Sequence, residues 1–135
     1  MNKKVEIRRK IITPCNDHIG GLIGEALLRY FLKAKLIKNI DDEYIITDKG
    51  WEELELIGID IEKLQSMNRK IVNICMESNH GILYEHIGSY LGAFLMNKMI
   101  ELGWLIQKDK NSYELTDKGI IGLESLGVRI KTFAF

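Results

Sequence analysis

Residues able to ligate a metal or move a proton fall in two short, matching sets. Cys15, Asp17 and His18 lie within four positions, and Cys75, Glu77 and His86 mirror them, with residues 78–85 (including Ser78, Asn79 and His80) inserted in the second set. Thiolate, imidazole and carboxylate together satisfy zinc and other borderline metals. Cys15, His18, Cys75 and His86 would make a four-ligand Cys₂His₂ set, with one pair from each half of the chain. Their spacing is not that of a zinc finger, and a second reading stands beside the first. In it the cysteines are small buried hydrophobes at strand ends. His18 and His86 are then first-turn helix residues bonded to nearby carbonyls, and Asp17 is a cap. A Cys–His pair can also activate a thiolate. The sequence offers no oxyanion-hole motif, Gly-rich phosphate loop or metal-hydrolase motif beside it, so the chain reads as a non-enzyme. Trp51, Trp104, Tyr44 and Tyr113 read as core packing rather than the lining of a ligand cleft.

The elements that would position these residues also occur twice. Arg9-Lys10-Ile11-Ile12 returns as Arg69-Lys70-Ile71-Val72, and His18-Ile-Gly returns as His86-Ile-Gly. Tyr44-Ile-Ile-Thr-Asp-Lys-Gly50 returns as Tyr113-Glu-Leu-Thr-Asp-Lys-Gly119, and Leu56-Ile-Gly-Ile59 as Ser125-Leu-Gly-Val128. Internal self-similarity of this kind predicts two like units packed about a pseudo-twofold axis. Each unit reads as four pieces. An extended segment comes first, Val5–Thr13 and Arg69–Ile74, with a helix as the alternative over 62–76. A long helix follows, capped by Asn16 or Asp17 in the first unit. Its stripe is Ile19, Leu22, Ile23, Ala26, Leu27, Tyr30, Phe31 and Ala34. The second stripe is Ile87, Tyr90, Leu91, Phe94, Leu95, Met99 and Leu102, interrupted by Lys98. Paired glycines (Gly20 with Gly88, Gly24 with Gly92) predict a close crossing of these two helices. Next come hairpins flanking Lys38–Glu43 and Gln107–Ser112. Last is a helix capped by Thr47 or Asp48, and by Thr116 or Asp117, and stopped by Gly58 or Gly127. The tail Lys131–Phe135 would add an edge strand.

Bulk numbers bound the rest. The chain has 135 residues, 46% hydrophobic and 28% charged, with a formal net charge of 0. That fits a globular domain, or two small lobes on one core, and argues against a dominant phosphate-binding surface. No apolar run approaches the roughly 20 residues of a membrane span, and the charged N-terminus is unlike a signal peptide. Two cysteines without an export signal predict reduced thiols and a cytoplasmic location.

Leu102-Gly-Trp-Leu105, Tyr113-Glu-Leu-Thr-Asp-Lys-Gly119 and Leu123-Glu-Ser-Leu-Gly127 resemble the winged part of winged-helix regulators. The whole chain resembles the C-terminal region of ArsR-type transcriptional regulators. Cys15-Asn-Asp-His18-Ile-Gly-Gly21-Leu-Ile-Gly24 matches the first element of that region. Cys75 with His86-Ile-Gly-Ser-Tyr-Leu-Gly92 matches the second. The resemblance implies an α+β fold of two tandem winged-helix-like units, 1–61 and 62–135, sharing one core. Such regulators carry an N-terminal helix-turn-helix domain that this sequence does not match. The resemblance therefore implies an effector or oligomerisation module. Duplex DNA, a separate helix-turn-helix protein or a second copy of the chain would be its partner. A stand-alone metal or small-ligand sensor is the alternative. Were the second unit to bind DNA, Ile82–Gly88 would be a support helix and Ala93–Leu102 the groove helix. Tyr90, Asn97 and Lys98 would then read bases, and Lys108 and Lys110 would touch phosphates.

Overall fold

The computed structural model describes residues 11–12, 14, 17–67, 70–79 and 81–128. Among them the order is β1 (Ile11–Ile12), α1 (Gly21–Lys33), β2 (Ile37–Ile40), β3 (Glu43–Ile46), α2 (Asp48–Leu56), α3 (Ile61–Gln65), β4 (Asn73–Asn79), β5 (Ile82–Gly88), α4 (Ser89–Glu101), β6 (Leu105–Asp109), β7 (Ser112–Leu115) and α5 (Asp117–Leu126). The fold is α+β, with small antiparallel sheets β1-β7-β6, β2-β3 and β4-β5. Strand β1 pairs with β7, Ile11 opposite Glu114 and Ile12 opposite Tyr113, so this short strand is tied to the β6–β7 hairpin. The rest of the expected first strand, most of Val5–Thr13, lies outside the described residues, as do Cys15, Asn16, Arg69, His80 and the tail.

The hairpin-to-helix units obey local chemistry. Asp41 and Asp42, both at positive φ (52° and 65°), make the two-residue turn between β2 and β3. Asp tolerates that left-handed conformation, and such a turn matches the twist of the flanking strands. Both hairpins extend further into their polar segments than the apolar runs indicate, to Ile40 and to Asp109. Thr47 caps α2 by accepting the Gly50 N–H at 3.0 Å, and Thr116 caps α5 by accepting the Gly119 N–H at 2.9 Å. Each hydroxyl also donates back to the segment entering its hairpin, Thr47 to Lys35 O at 2.6 Å and Thr116 to Gly103 O at 2.8 Å. Gly58 and Gly127, at φ +94° and +112°, turn the chain out of α2 and α5. The Ile59 and Val128 N–H groups then close on Leu54 O and Leu123 O, both at 3.0 Å, and both side chains are buried. Thr116→Ala is expected to cost roughly 1–2 kcal/mol, since a cap and a donated bond go together. Thr116→Ser should stay within about 0.5 kcal/mol of wild type, because the serine hydroxyl keeps both roles. Urea unfolding midpoints measure the difference.

One apolar cluster draws residues from both ends of the described chain. It contains Ile23, Ala26, Leu27, Leu28 and Phe31 of α1, Leu91, Leu95, Met96 and Met99 of α4, Leu54, Leu64 and Leu123. The helix seam it fills leaves a cavity of only about 30 Å³ beside Leu27, Phe31, Leu95 and Trp104. That is room for about one water and far too little for an organic effector.

Three expectations change here. Residues 82–88 form strand β5, not a support helix. Leu83 is 66% exposed while His86 is 0% exposed, and the two lie on opposite faces of the strand. Its partner is β4, running Asn73 opposite Gly88 to Asn79 opposite Ile82, with Gly81 (φ +78°) in the turn. The helical alternative for 62–76 holds only for Ile61–Gln65, and the extended segment starts at Asn73 rather than Arg69. The paired glycines do not mark a helix crossing. Space for a Cβ at Gly24 is taken by the Ile19 carbonyl and, at 3.1 Å, the His86 Cβ. At Gly92 it is taken by the Ile87 carbonyl and, at 2.9 Å, the His18 Cβ. Helix α1 packs chiefly along β5.

Candidate metal centre

His18, Cys75 and His86 come from three different segments. His18 precedes α1, Cys75 lies in the middle of β4, and His86 is its register partner on β5. The strand pleat sends Cys75, Glu77 and His86 to one face, the side covered by α1. Gly24 and Gly92 leave room for the two imidazoles, each helix glycine against the opposite histidine. Gly88 contributes a third gap, its missing Cβ lying 3.0 Å from the Cys75 Cβ and 3.6 Å from His18 Cε1.

His18 Nδ1 and His86 Nε2 are 3.0 Å apart, in hydrogen-bond contact. The Cys75 Sγ completes a set of three donor atoms that all lie within 4.8 Å of one another. A tetrahedral zinc site, with metal–N of about 2.0–2.1 Å and metal–S of about 2.3 Å, sets ligand atoms about 3.3–3.6 Å apart. The His–His separation is therefore within a few tenths of an ångström of what a metal needs. Neither histidine occupies the first turn of a helix, so that expectation is corrected; they bond to each other rather than to carbonyls. Cys75 is not at a strand end. Cys15, the fourth ligand of the Cys₂His₂ set, lies outside the described residues.

Two carboxylates flank the imidazoles. Asp17 Oδ1 is 3.4 Å from His18 Nε2, and Glu77 Oε1 is 3.6 Å from His86 Nδ1. Asp17 is exposed and sits ahead of α1 without capping it, contrary to the sequence expectation. The N-cap is Gly20, which has no side chain to offer, and the Gly21 N–H instead donates to Glu77 Oε1. A carboxylate facing His86 Nδ1 favours the tautomer with hydrogen on Nδ1 and the lone pair on Nε2. His18 Nδ1 then donates to that lone pair, and a metal would replace this shared hydrogen. His86 Nδ1 is the buried side-chain polar atom left without a hydrogen bond among the described residues.

Burial holds the His86 imidazole below its ordinary value of 6.5; Glu77 opposes this and His18 reinforces it. Burial thus favours the neutral imidazole, the form that can ligate. Between its lowered folded value and 6.5 the unfolded chain binds the extra proton, so stability rises with pH there and levels off above 6.5. Unfolding free energy should fall on acidification from pH 7 to 5.5. The His86 share of that slope should vanish in His86→Gln, as urea titrations at several pH values would show.

The five residues named for DNA contact have different surroundings. Lys98 is 15% exposed at its side chain and pairs with Glu101 at 3.1 Å. Lys108 pairs with Glu114 at 3.6 Å. Tyr90 is half-buried in a hollow beside Lys70, Ser89 and Asp17. Asn97 and Lys110 do share a groove of about 600 Å³ between α4 and the β6–β7 turn, which Asp17, Asn111 and Tyr113 also line. Sequence reasoning missed the pairing of β4 with β5 and the capping role of Glu77. Residues 82–88 carry no strict apolar–polar alternation, so the pairing had no clear signal in the sequence.

Comparison with known proteins places the chain beside one regulator. It is 25% identical over 118 residues to the uncharacterized HTH-type transcriptional regulator YdfF of Bacillus subtilis (strain 168), a match covering 86% of this chain and 51% of the relative. The chain thus spans about half the length of that protein. No protein-family model matches the chain, and no solved structure matches it. None of the described helices is long and apolar enough to cross a membrane.

Proposed function

We propose that this chain is the effector and oligomerisation module of a cytoplasmic transcriptional regulator of the ArsR type, and that its effector is a zinc-like metal. The observation that carries the metal reading is the meeting of the buried His18 and His86 with the half-buried Cys75, one donor atom from each of three segments. The regulator reading is supported by the distant relationship to YdfF. The role is one of binding, with no reaction assigned. His18, Cys75 and His86 would be the ligands. The metal would supply a positive centre that ties the segment before α1 to the β4–β5 hairpin.

The chain is further read as a duplicated winged-helix-like unit, 1–61 and 62–135. Support comes from Thr47 and Thr116 capping alike, from Gly58 and Gly127 ending helices alike, and from each histidine seated against the other unit's glycine. On this reading a metal between His18 and His86 joins the two units and stabilises their arrangement. Partners would then be a second copy, a helix-turn-helix protein or duplex DNA. Direct DNA contact is favoured by one feature, the groove shared by Asn97 and Lys110.

Two titrations test these readings. Calorimetry with zinc should give one site per chain, lost in Cys75→Ser; equal binding by both proteins would remove the metal reading. Labelled duplex DNA at low salt should bind with an affinity that falls as salt rises if the groove touches phosphate. A flat titration would leave a protein partner as the route to DNA.

A further inference from the structure

We propose that Glu77 is the positioning residue of this metal centre and that it couples metal occupancy to the start of helix α1. The inference rests on the metal reading above and concerns how the site is oriented and read out. Glu77 follows Cys75 by two residues on β4, so both side chains project from the same face of the hairpin. Its side chain is 15% exposed. One oxygen, Oε1, does two things. It faces His86 Nδ1 at 3.6 Å, and it accepts the N–H of Gly21, the first residue of α1.

The first contact fixes a ligand atom. Histidines that bind metals regularly give their second ring N–H to a carboxylate or carbonyl, which sets the tautomer and the ring orientation. His86 Nδ1 has no hydrogen-bond partner among the described residues, and Glu77 is the carboxylate aimed at it. With Nδ1 carrying hydrogen, Nε2 is left as the donor facing His18. With a metal held at Nε2, the Nδ1–H would be a stronger donor toward the Glu77 carboxylate.

The second contact reaches the helix. An α-helix begins with unsatisfied N–H groups and a partial positive charge, normally met by a Ser, Thr, Asp or Asn at the cap. Helix α1 has Gly20 there and no side-chain cap of its own. The glycine suits the same arrangement: a Cβ at position 20 would push the Glu77 carboxylate out of place. Helix α1 carries Ile23, Ala26, Leu27 and Phe31 into the core, so an anchor at its first residue bears on the whole seam. One carboxylate therefore serves both the ring that would hold the metal and the helix that would respond to it.

The test compares wild type, Glu77→Ala, Glu77→Gln and His86→Ala by zinc titration against a chromophoric chelator, with hydrogen exchange at the first-turn amides of α1. Wild type should bind zinc, and zinc should slow exchange at Gly21 and its neighbours. Glu77→Ala should weaken zinc binding by about 10- to 100-fold, the usual loss for an outer-shell partner, and should uncouple those amides from zinc. Glu77→Gln keeps an acceptor oxygen and should recover part of both. A residue that merely caps the helix would lower stability and leave zinc affinity alone. Zinc affinity of Glu77→Ala within about 3-fold of wild type, with wild-type binding intact, overturns the Glu77 assignment by itself, being well short of the outer-shell loss. Wild-type binding no tighter than that of His86→Ala overturns the metal reading and this inference with it.

Discussion

A His86→Ala variant is expected to bind zinc more than about 100-fold more weakly than wild type, because losing a ligand exceeds the 10- to 100-fold cost of losing an outer-shell partner. His86 is 0% exposed, and its Nε2 lies 3.0 Å from His18 Nδ1. The effect should reach stability as well. Zinc at about 100 times its dissociation constant would stabilise wild type by about 2.7 kcal/mol and should leave the variant unmoved. Without metal the two proteins should differ less. Alanine leaves a void, but it also removes a buried nitrogen that has no hydrogen-bond partner. Thermal melts with and without zinc separate these contributions. A variant that gains as much from zinc as wild type would show that the metal sits elsewhere.

The second large effect has a sign opposite to simple propensity. Glycine to alanine in an exposed helix interior usually stabilises by about 1 kcal/mol. Gly92→Ala in α4 should instead destabilise by roughly 1–3 kcal/mol, the range for forcing an extra methyl group into packed surroundings. The added Cβ would meet the Ile87 carbonyl and stand 2.9 Å from the His18 Cβ. A backbone carbonyl cannot step aside as a flexible side chain can. Gly24→Ala in α1 should behave alike against the Ile19 carbonyl and the His86 Cβ at 3.1 Å. Both changes push on a histidine, so both should weaken zinc binding. Chemical denaturation gives the first readout and zinc competition the second. Stabilisation by either alanine would mean that the glycines are not there to seat the imidazoles.

How much of this could be read from the residues alone depends on range. Thr47, Thr116, Gly58 and Gly127 act within a few positions of themselves, and their roles are legible from type and spacing. The helix stripes are legible for the same reason, since Ile23, Leu27 and Phe31, like Leu91, Leu95 and Met99, recur at helical intervals and are buried. Strand β5 is harder. Ile82-Leu-Tyr-Glu-His-Ile-Gly is short and mixed, and only its pairing with β4 identifies it as a strand. The purpose of Gly24 and Gly92 was not accessible either. Equal spacing marks them as special, but what fills the gap depends on a histidine more than sixty positions away. The candidate centre was half legible: His18, Cys75 and His86 stand out as ligand types, whereas their meeting and the reach of Glu77 to Gly21 are tertiary facts.

Cobalt(II) absorption spectroscopy on the purified chain tests most directly whether these three side chains hold one metal. Cobalt takes zinc sites and reports both geometry and ligands. The expected spectrum has intense tetrahedral d–d bands and a thiolate-to-cobalt charge-transfer band, with Cys75→Ser losing the charge-transfer band and His86→Ala losing tetrahedral intensity. Weak octahedral bands, identical in wild type and both variants, would contradict the assignment of His18, Cys75 and His86 as a metal centre.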